Sequence, residues 1–246
     1  MKNHLKTWVY TFLAIFLLVG SAYAVPMGSD EKPLENTKGY AWNDAPYWSL
    51  TDYTTGEDGE STFVMTVKNS GYHSDFGLFS VDSITAEKPT IEEKVQLFSK
   101  SDTVGTVAQA FFKKVGLDWY INTENDFDAL GEPGGAIKFD ATFGFYFSVY
   151  TEDTSTEADY EFYTDWDLNT PEEEKGQQHI AIEYKEPNLA RIYLNDKIGE
   201  EAGGGWDDMA IMAIDIHPVP EPASLALLGL GLLGLAGLGR RRYTKK

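Results

Sequence analysis

Apolar and polar residues alternate along much of the chain, which is the pattern of half-buried β-strands. The first clear run is 61–68, where Phe63, Met65 and Val67 alternate with mostly polar residues. The longest run is 137–149, where the odd positions are Ile, Phe, Ala, Phe, Phe, Phe and Val and the even positions are mostly polar. This run predicts a single strand with one buried face and one face in water.

Shorter apolar runs predict further strands, with turn signals between them. These runs are 76–81, 95–98, 107–115, 117–121, 160–163, 179–184, 191–194 and 209–216. The last of them is apolar on both faces and predicts a central strand. No long stretch repeats its apolar residues every 3.6 positions, as an amphipathic helix would, although 86–93 or 105–114 could hold a short helix. Many short strands predict an all-β domain, an antiparallel β-sandwich or jelly roll. We expect this domain to span 61–217, behind an irregular, polar lead-in at 25–60.

Two of these strands share a Phe-Gly-aromatic sequence. Phe-Gly-Leu-Phe occupies 76–79, and Phe-Gly-Phe-Tyr occupies 143–146. A duplicated half-domain would produce such a pair, and so would chance in a chain with 14 phenylalanines. Gly144 falls on the predicted outward face of its strand, where a glycine often marks a bend or a bulge.

The stretch 218–246 breaks the alternating pattern and has three parts. They are a short motif of Val219, Pro220, Glu221 and Pro222, an apolar run at 223–239, and a basic end at 240–246 with Arg240, Arg241 and Arg242. The apolar run contains eight leucines, five glycines and no charge. As a helix it would reach about 25 Å, the short end of a bilayer span. We expect a transmembrane helix, and a buried terminal helix is the alternative.

The first 24 residues have the layout of a secretory signal peptide. Lys2 and Lys6 precede an apolar stretch at 9–20, and Ala22 and Ala24 form an Ala-x-Ala cleavage site. Cleavage there is expected, and an uncleaved anchor is the alternative. Export through the Sec machinery, stopped by the C-terminal apolar run with its arginines in the cytoplasm, would place the domain in the periplasm before processing.

The charge of the central part is hidden by the basic ends. Between residues 25 and 220 there are 38 Asp and Glu and 13 Lys and Arg, a net charge of −25, against −19 for the whole chain. Such a domain repels nucleic acid and favours solubility and divalent cations. The chain has no cysteine, which excludes disulfides, thiol catalysis and thiolate metal sites.

The order of the C-terminal parts resembles the PEP-CTERM sorting tail of exported Gram-negative bacterial proteins. The match is residue for residue from Val219 to Pro222, followed by the apolar run and the arginines. The resemblance implies recognition and cleavage near the motif by a membrane-embedded exosortase. It also implies delivery to the cell surface or to the exopolysaccharide matrix of a biofilm.

The stretch 143–216 is similar to an uncharacterised β-domain found upstream of such tails. The similarity lies in FGFYF, in Tyr-Thr-Asp-x-x-Leu-Asn at 163–169, in a strand with His179, and in Asp-Asp-Met-x-Ile at 207–211. In that family the run before the last strand is richer in Asp and Asn, and here three glycines at 203–205 replace part of it. The resemblance implies fold and location more than activity.

Two acidic segments are candidate calcium sites, because clustered oxygen ligands suit this cation. They comprise Asp165, Asp167 and Asn169 in the first segment and Asp207 and Asp208 in the second. The first departs from the EF-hand pattern, since Thr170 stands where glycine is required and Gly176 where a bidentate Glu is required. Ordinary acidic turns are the alternative for both, so calcium is the one candidate cofactor.

No catalytic motif is recognisable. Neither H-E-x-x-H nor G-x-S-x-G occurs, and His73 and His179 are isolated. With so many carboxylates, a pair suited to glycoside hydrolysis carries little information.

We therefore expect a non-enzymatic, exported surface or matrix protein. Five tryptophans near loops could instead stack on sugars in a carbohydrate-binding module, with or without calcium, or could seal the edges of a small sandwich. They are Trp42, Trp48, Trp119, Trp166 and Trp206. A polysaccharide-modifying enzyme is the third hypothesis.

Overall fold

The structure is a computed structural model that describes residues 41–51, 58–69, 71–86, 88–123, 136–170, 172–196, 206 and 208–219. The predicted signal peptide at 1–24, the apolar run at 223–239 and the basic end lie outside these residues. Among the residues described, no helix has the length and apolarity that crossing a membrane requires.

Short antiparallel strands make up most of the described chain. The strands are β1 (Ala41–Trp42), β2 (Trp48–Leu50), β3 (Asp58–Lys68), β4 (His73–Val81), β5 (Ile91–Phe98), β6 (Val107–Val115), β7 (Asp118–Asn122), β8 (Ile137–Lys138), β9 (Thr142–Tyr150), β10 (Tyr160–Tyr163), β11 (Ile180–Lys185), β12 (Leu189–Leu194), β13 (Met209–Ile214) and β14 (Ile216–Pro218). Two 3₁₀ helices, Trp166–Leu168 and Glu172–Glu174, follow β10.

The strands form two sheets. The order in the eight-stranded sheet is β1-β11-β12-β13-β3-β6-β7-β8, and the order in the six-stranded sheet is β14-β2-β9-β4-β5, with β10 also pairing with β9. The strand pairings described are antiparallel. The prediction of an all-β domain with antiparallel sheets is confirmed.

Aromatic rings from both sheets meet in one core. Phe63 on β3 lies 6.3 Å from Phe145 on β9, measured between ring centroids. Phe112 on β6 stacks at 5.4 Å on Phe143 of β9. Because these side chains are fully or almost fully buried, the faces of the two sheets that carry them share a single apolar interior.

The predicted single strand at 137–149 is wrong in two respects. The structure divides it into β8, which pairs with β7, and β9, which lies in the other sheet. Between them the Phe139 N–H donates to the carbonyl of Trp119, so the chain leaves the first sheet only after this bond. In addition, residues 143–150 are all buried, so β9 has no face in water.

A second, smaller apolar layer covers the outer face of β9 and explains this burial. We call it the outer cluster. It comprises Tyr47, Phe79, Val81, Tyr146 and Tyr163, with Ile84, Ile91, Leu168 and Val219 packed against it. Sequence alternation could not predict this layer, because Tyr47 and Tyr163 come from distant parts of the chain.

The Phe-Gly-aromatic sequences of β4 and β9 are cross-strand partners in this layer. Phe79 lies directly opposite Gly144, and Tyr146 directly opposite Gly77. A Cβ on Gly144 would come within 2.2 Å of the Phe79 ring, and one on Gly77 within 2.8 Å of the Tyr146 ring. Each glycine therefore makes room for an aromatic ring of the other strand. No register shift interrupts the β4–β9 pairing at Gly144, so a bulge there is wrong, whereas the bend stays a prediction.

Part of the segment expected to be an irregular lead-in belongs to the sheets. It contributes β1, β2 and the first residues of β3. Trp48 and Leu50 on β2 are buried in the main core. The folded domain therefore includes residues upstream of 61.

Candidate functional site at the exit of the C-terminal tail

The chain changes sheets at Asp215, immediately before the tail. Asp215 has φ +67°, in the left-handed region that aspartate tolerates better than most residues. Asn188 Nδ2 donates to Asp215 Oδ1 at 2.6 Å, and the Asp215 N–H donates to the Asn188 carbonyl at 2.8 Å. The Thr51 N–H donates to the Asp215 carbonyl at 2.9 Å. This corner directs β14 along the edge of the six-stranded sheet.

The predicted strand at 209–216 is therefore two strands in different sheets. β13 is the central strand that the apolar run predicts, since it lies between β12 and β3. β14 pairs with β2, with Ile216 opposite Leu50 and Pro218 opposite Trp48. Ile216 is fully buried in the main core and fixes β14 to the domain.

The regular pairing continues into the first residue of the Val-Pro-Glu-Pro motif. The Val219 N–H donates to the Tyr47 carbonyl at 2.9 Å, and the Val219 side chain packs against the outer cluster. The backbone nitrogen of Pro218 points away from β2, because Val219 occupies the hydrogen-bonded position next to it. A proline at this position of an edge strand therefore costs no hydrogen bond to β2. Pro220, Glu221 and Pro222 lie outside the described residues.

Two hydrogen bonds fix residues 46 and 47, and the Tyr47 carbonyl is the acceptor for the Val219 N–H. Tyr47 Oη donates to Asp165 Oδ2 at 2.7 Å, and Thr164 Oγ1 donates to the Pro46 carbonyl at 2.7 Å. Burial, together with the bond to the Asp165 carboxylate, raises the pKa of Tyr47 well above its usual range. Tyr47 therefore stays protonated and remains a donor at any physiological pH.

Asp165 and Asn169, both predicted as calcium ligands, use side-chain oxygens to accept hydrogen bonds from other parts of the protein. Asp165 accepts the Tyr47 bond, whereas Asp167 is exposed. Asn169 is fully buried: its Oδ1 accepts from the Tyr163 N–H at 2.8 Å, and its Nδ2 donates to two backbone carbonyls, those of Glu174 and Gln177. Asn169 thus links β10 to the second 3₁₀ helix through hydrogen bonds.

In the second predicted calcium segment, Asp207 lies outside the described residues. Asp208 Oδ2 accepts from the Asp196 N–H at 3.0 Å. Within the described ranges, no group of three or more His, Asp and Glu residues is placed to hold a metal ion. Calcium binding at either segment stays a prediction.

His179, one of the isolated histidines, is a packed residue. Its ring is fully buried and stacks on Phe162 with 3.8 Å between ring centroids. Nε2 lies 3.1 Å from Glu174 Oε2, and Nδ1 lies 3.1 Å from the Asn195 carbonyl oxygen. Burial lowers the pKa of His179, although both hydrogen bonds oppose the shift. A side chain so enclosed does not reach an external substrate.

A cleft of about 430 Å³ opens at the ends of β5, β7 and β8. Its lining residues are Glu92, Glu93, Leu117, Asp118, Trp119, Lys138, Phe139 and Asp140. Asp118 forms an ion pair with Lys138 at 2.8 Å. Although Asp140 is solvent-exposed, desolvation by the surrounding protein raises its pKa, and the Lys138 charge opposes this. An indole among carboxylates can stack on and hydrogen-bond to a polyol.

The five candidate sugar-stacking tryptophans separate into different environments. Trp48 and Trp206 are buried, and Trp42 packs on Tyr193 at 6.0 Å between ring centroids. Trp166 is half-buried in the first 3₁₀ helix, and Trp119 is the one of the five that lines the cleft. Of these five tryptophans, Trp119 is therefore the one whose position suits the carbohydrate-binding hypothesis best.

The sequence did not indicate the residues that position the start of the tail. Tyr47, Asn188 and Asp215 carried no motif. The only available signal was the polar Asp215 at the end of an otherwise apolar run, and it pointed to a turn without indicating which sheet follows.

Comparison with known families identifies the tail itself. Residues 218–242 match the family model of the PEP-CTERM protein-sorting motif. The chain matches no curated protein and no solved structure. The family match implies an exported, membrane-anchored precursor that an exosortase-type membrane enzyme processes. The chain thus carries a PEP-CTERM protein-sorting motif, and this motif begins where the last strand of an antiparallel β-domain ends.

Proposed function

We propose that the protein is a non-enzymatic cargo of this sorting route, a β-sandwich domain that functions at the cell surface or in the exopolysaccharide matrix. The observation that carries the proposal is the sorting motif at 218–242 joined directly to a folded, acidic domain. The shared core of the two sheets supports the β-sandwich architecture. A net charge of −25 between residues 25 and 220 suits a hydrated extracellular layer.

Deletion of 220–246 tests the sorting role while keeping Val219 and the domain intact. The full-length chain and the deletion variant would be produced in a Gram-negative host that has an exosortase. We expect the full-length protein in the cell-surface and matrix fractions and the deletion variant only in the periplasm. A deletion variant that still reaches the matrix would refute the sorting role.

A second candidate function, carbohydrate binding, is favoured by the cleft around Trp119. The cleft combines one indole with four carboxylates and a single lysine. Its negative charge favours neutral or amino sugars over anionic polymers. We expect Trp119→Ala to abolish retardation of the protein in gels containing a neutral or amino-sugar polysaccharide, whereas Trp166→Ala keeps it. Equal mobility of wild type with and without each polysaccharide would remove this candidate.

The same cleft provides the direct test of the non-enzymatic proposal. Asp140 is the carboxylate to replace, because it lines the cleft and desolvation raises its pKa above the ordinary value. We expect neither wild type nor Asp140→Asn to release reducing sugar from matrix polysaccharide. Activity in wild type that Asp140→Asn loses would make the protein a polysaccharide-modifying enzyme instead.

A further inference from the structure

The residues just before the sorting motif are held firmly in the domain. Ile216 is fully buried in the main core, and β14 pairs with β2 through its whole length. The Val219 N–H bond to the Tyr47 carbonyl extends this pairing by one residue. The Val219 side chain rests on the outer cluster, on the other face of the sheet from Ile216.

This attachment limits where a processing enzyme can cut. A peptide bond must leave its sheet before it can lie in an active site, because the neighbouring strand blocks one side of the backbone and occupies its hydrogen bonds. Cutting a peptide bond on the N-terminal side of Val219 would require separating β14 from β2. That movement would expose Ile216 to water and break the bond to Tyr47.

We propose that the exosortase-type enzyme cuts on the C-terminal side of Val219 and accepts the domain fully folded. In this arrangement Val219 serves the fold, and the enzyme reads the motif from Pro220 onward. The inference rests on the proposed processing of the tail and adds the position of the cut and the state of the substrate.

A disulfide between β2 and β14 tests the inference on the full-length chain. Ser49 and His217 lie directly opposite each other in a hydrogen-bonded pair position. Their Cα atoms are then about 5.5 Å apart, within the range of a disulfide. The chain has no cysteine of its own, so Ser49→Cys with His217→Cys forms one defined bridge in the oxidising periplasm. The Ser49→Cys single variant is the control.

We expect the bridged chain to be processed at a rate within twofold of the control. The released wild-type product should have an intact mass that places its C-terminus at or after Val219. A product that ends before Val219 would overturn the inference, as would a tenfold slower conversion of the bridged chain than of the control. A wild-type chain that is never processed would overturn the proposed function itself, and the inference with it.

A second pair of variants keeps the test independent of bridge formation. We expect Val219→Ala to lower the melting temperature of the domain and leave the processing rate within twofold of wild type. We expect Glu221→Ala to slow processing and leave the melting temperature unchanged, since in this proposal the enzyme reads the motif from Pro220 onward. Slowed processing by Val219→Ala at a temperature where the domain remains folded would show that the enzyme reads Val219 and would contradict recognition from Pro220 onward.

Discussion

Gly77 offers the sharpest test of the packing that supports the outer cluster. It lies on β4, between β5 and β9. A Cβ added there would lie 2.1 Å from the Val95 carbonyl oxygen and 2.8 Å from Cε1 of Tyr146, whereas ordinary contacts start at 3.4 Å. The Val95 oxygen belongs to the backbone and cannot rotate away. Gly77→Ala must therefore push β5 away from β4.

The expected loss of stability follows from two contributions. Overpacking a close contact costs about 1–3 kcal/mol. Separating the strands weakens one or two ladder hydrogen bonds, at about 0.5–1.5 kcal/mol each. The reduced freedom of alanine in the unfolded chain offsets about 0.4–1 kcal/mol. We expect a net loss of about 2–4 kcal/mol, which lowers the melting temperature by roughly 4–16 °C for a domain of this size.

Urea unfolding of the 25–219 segment, followed by tryptophan fluorescence, measures this loss. Gly71→Ala is the matched control, because Gly71 is exposed and a Cβ there would meet nothing within 4 Å. Its unfolding free energy should stay within about 0.5 kcal/mol of wild type. If Gly77→Ala and Gly71→Ala unfold within about 0.5 kcal/mol of each other, the close approach of β4 and β5 is wrong.

Two further predictions concern β14 and the buried side chain of Asn169. A chain ending at Asp215 should be about 3–4 kcal/mol less stable to urea than one ending at Val219. The shorter chain loses the burial of Ile216 and the hydrogen bond from the Val219 N–H to the Tyr47 carbonyl. Equal stability of the two chains would mean that β14 is no part of the fold. Asn169→Ala should cost about 2–4 kcal/mol, since it leaves buried backbone groups without partners, while the exposed Asp167→Ala costs less than about 0.5 kcal/mol. Both losses should be the same with and without calcium, and a loss confined to calcium-containing buffer would favour a cation in this loop.

Some features of the protein were predictable from consecutive residues, because their signals are local. The 107–115 run, rich in β-prone and aromatic residues and followed by Gly116, predicted β6 with the bounds that the structure has, whereas the alternative of a short helix at 105–114 is wrong. The sorting motif was recognisable for the same reason: Val219 to Pro222, the apolar run and the arginines form one continuous stretch. Such signals need no knowledge of the rest of the chain.

Which strand faces are covered, and where the chain changes sheets, depends on contacts between distant segments. The even positions of β9 looked exposed, but Tyr47 and Tyr163 cover them, and the Tyr47 side chain is held by Asp165, 118 residues away. Likewise, neither the break between β8 and β9 nor the corner at Asp215 followed from alternation, since both depend on partners in other strands. Burial and pairing are properties of contacts between distant segments, and a pattern of neighbours along the chain does not contain them.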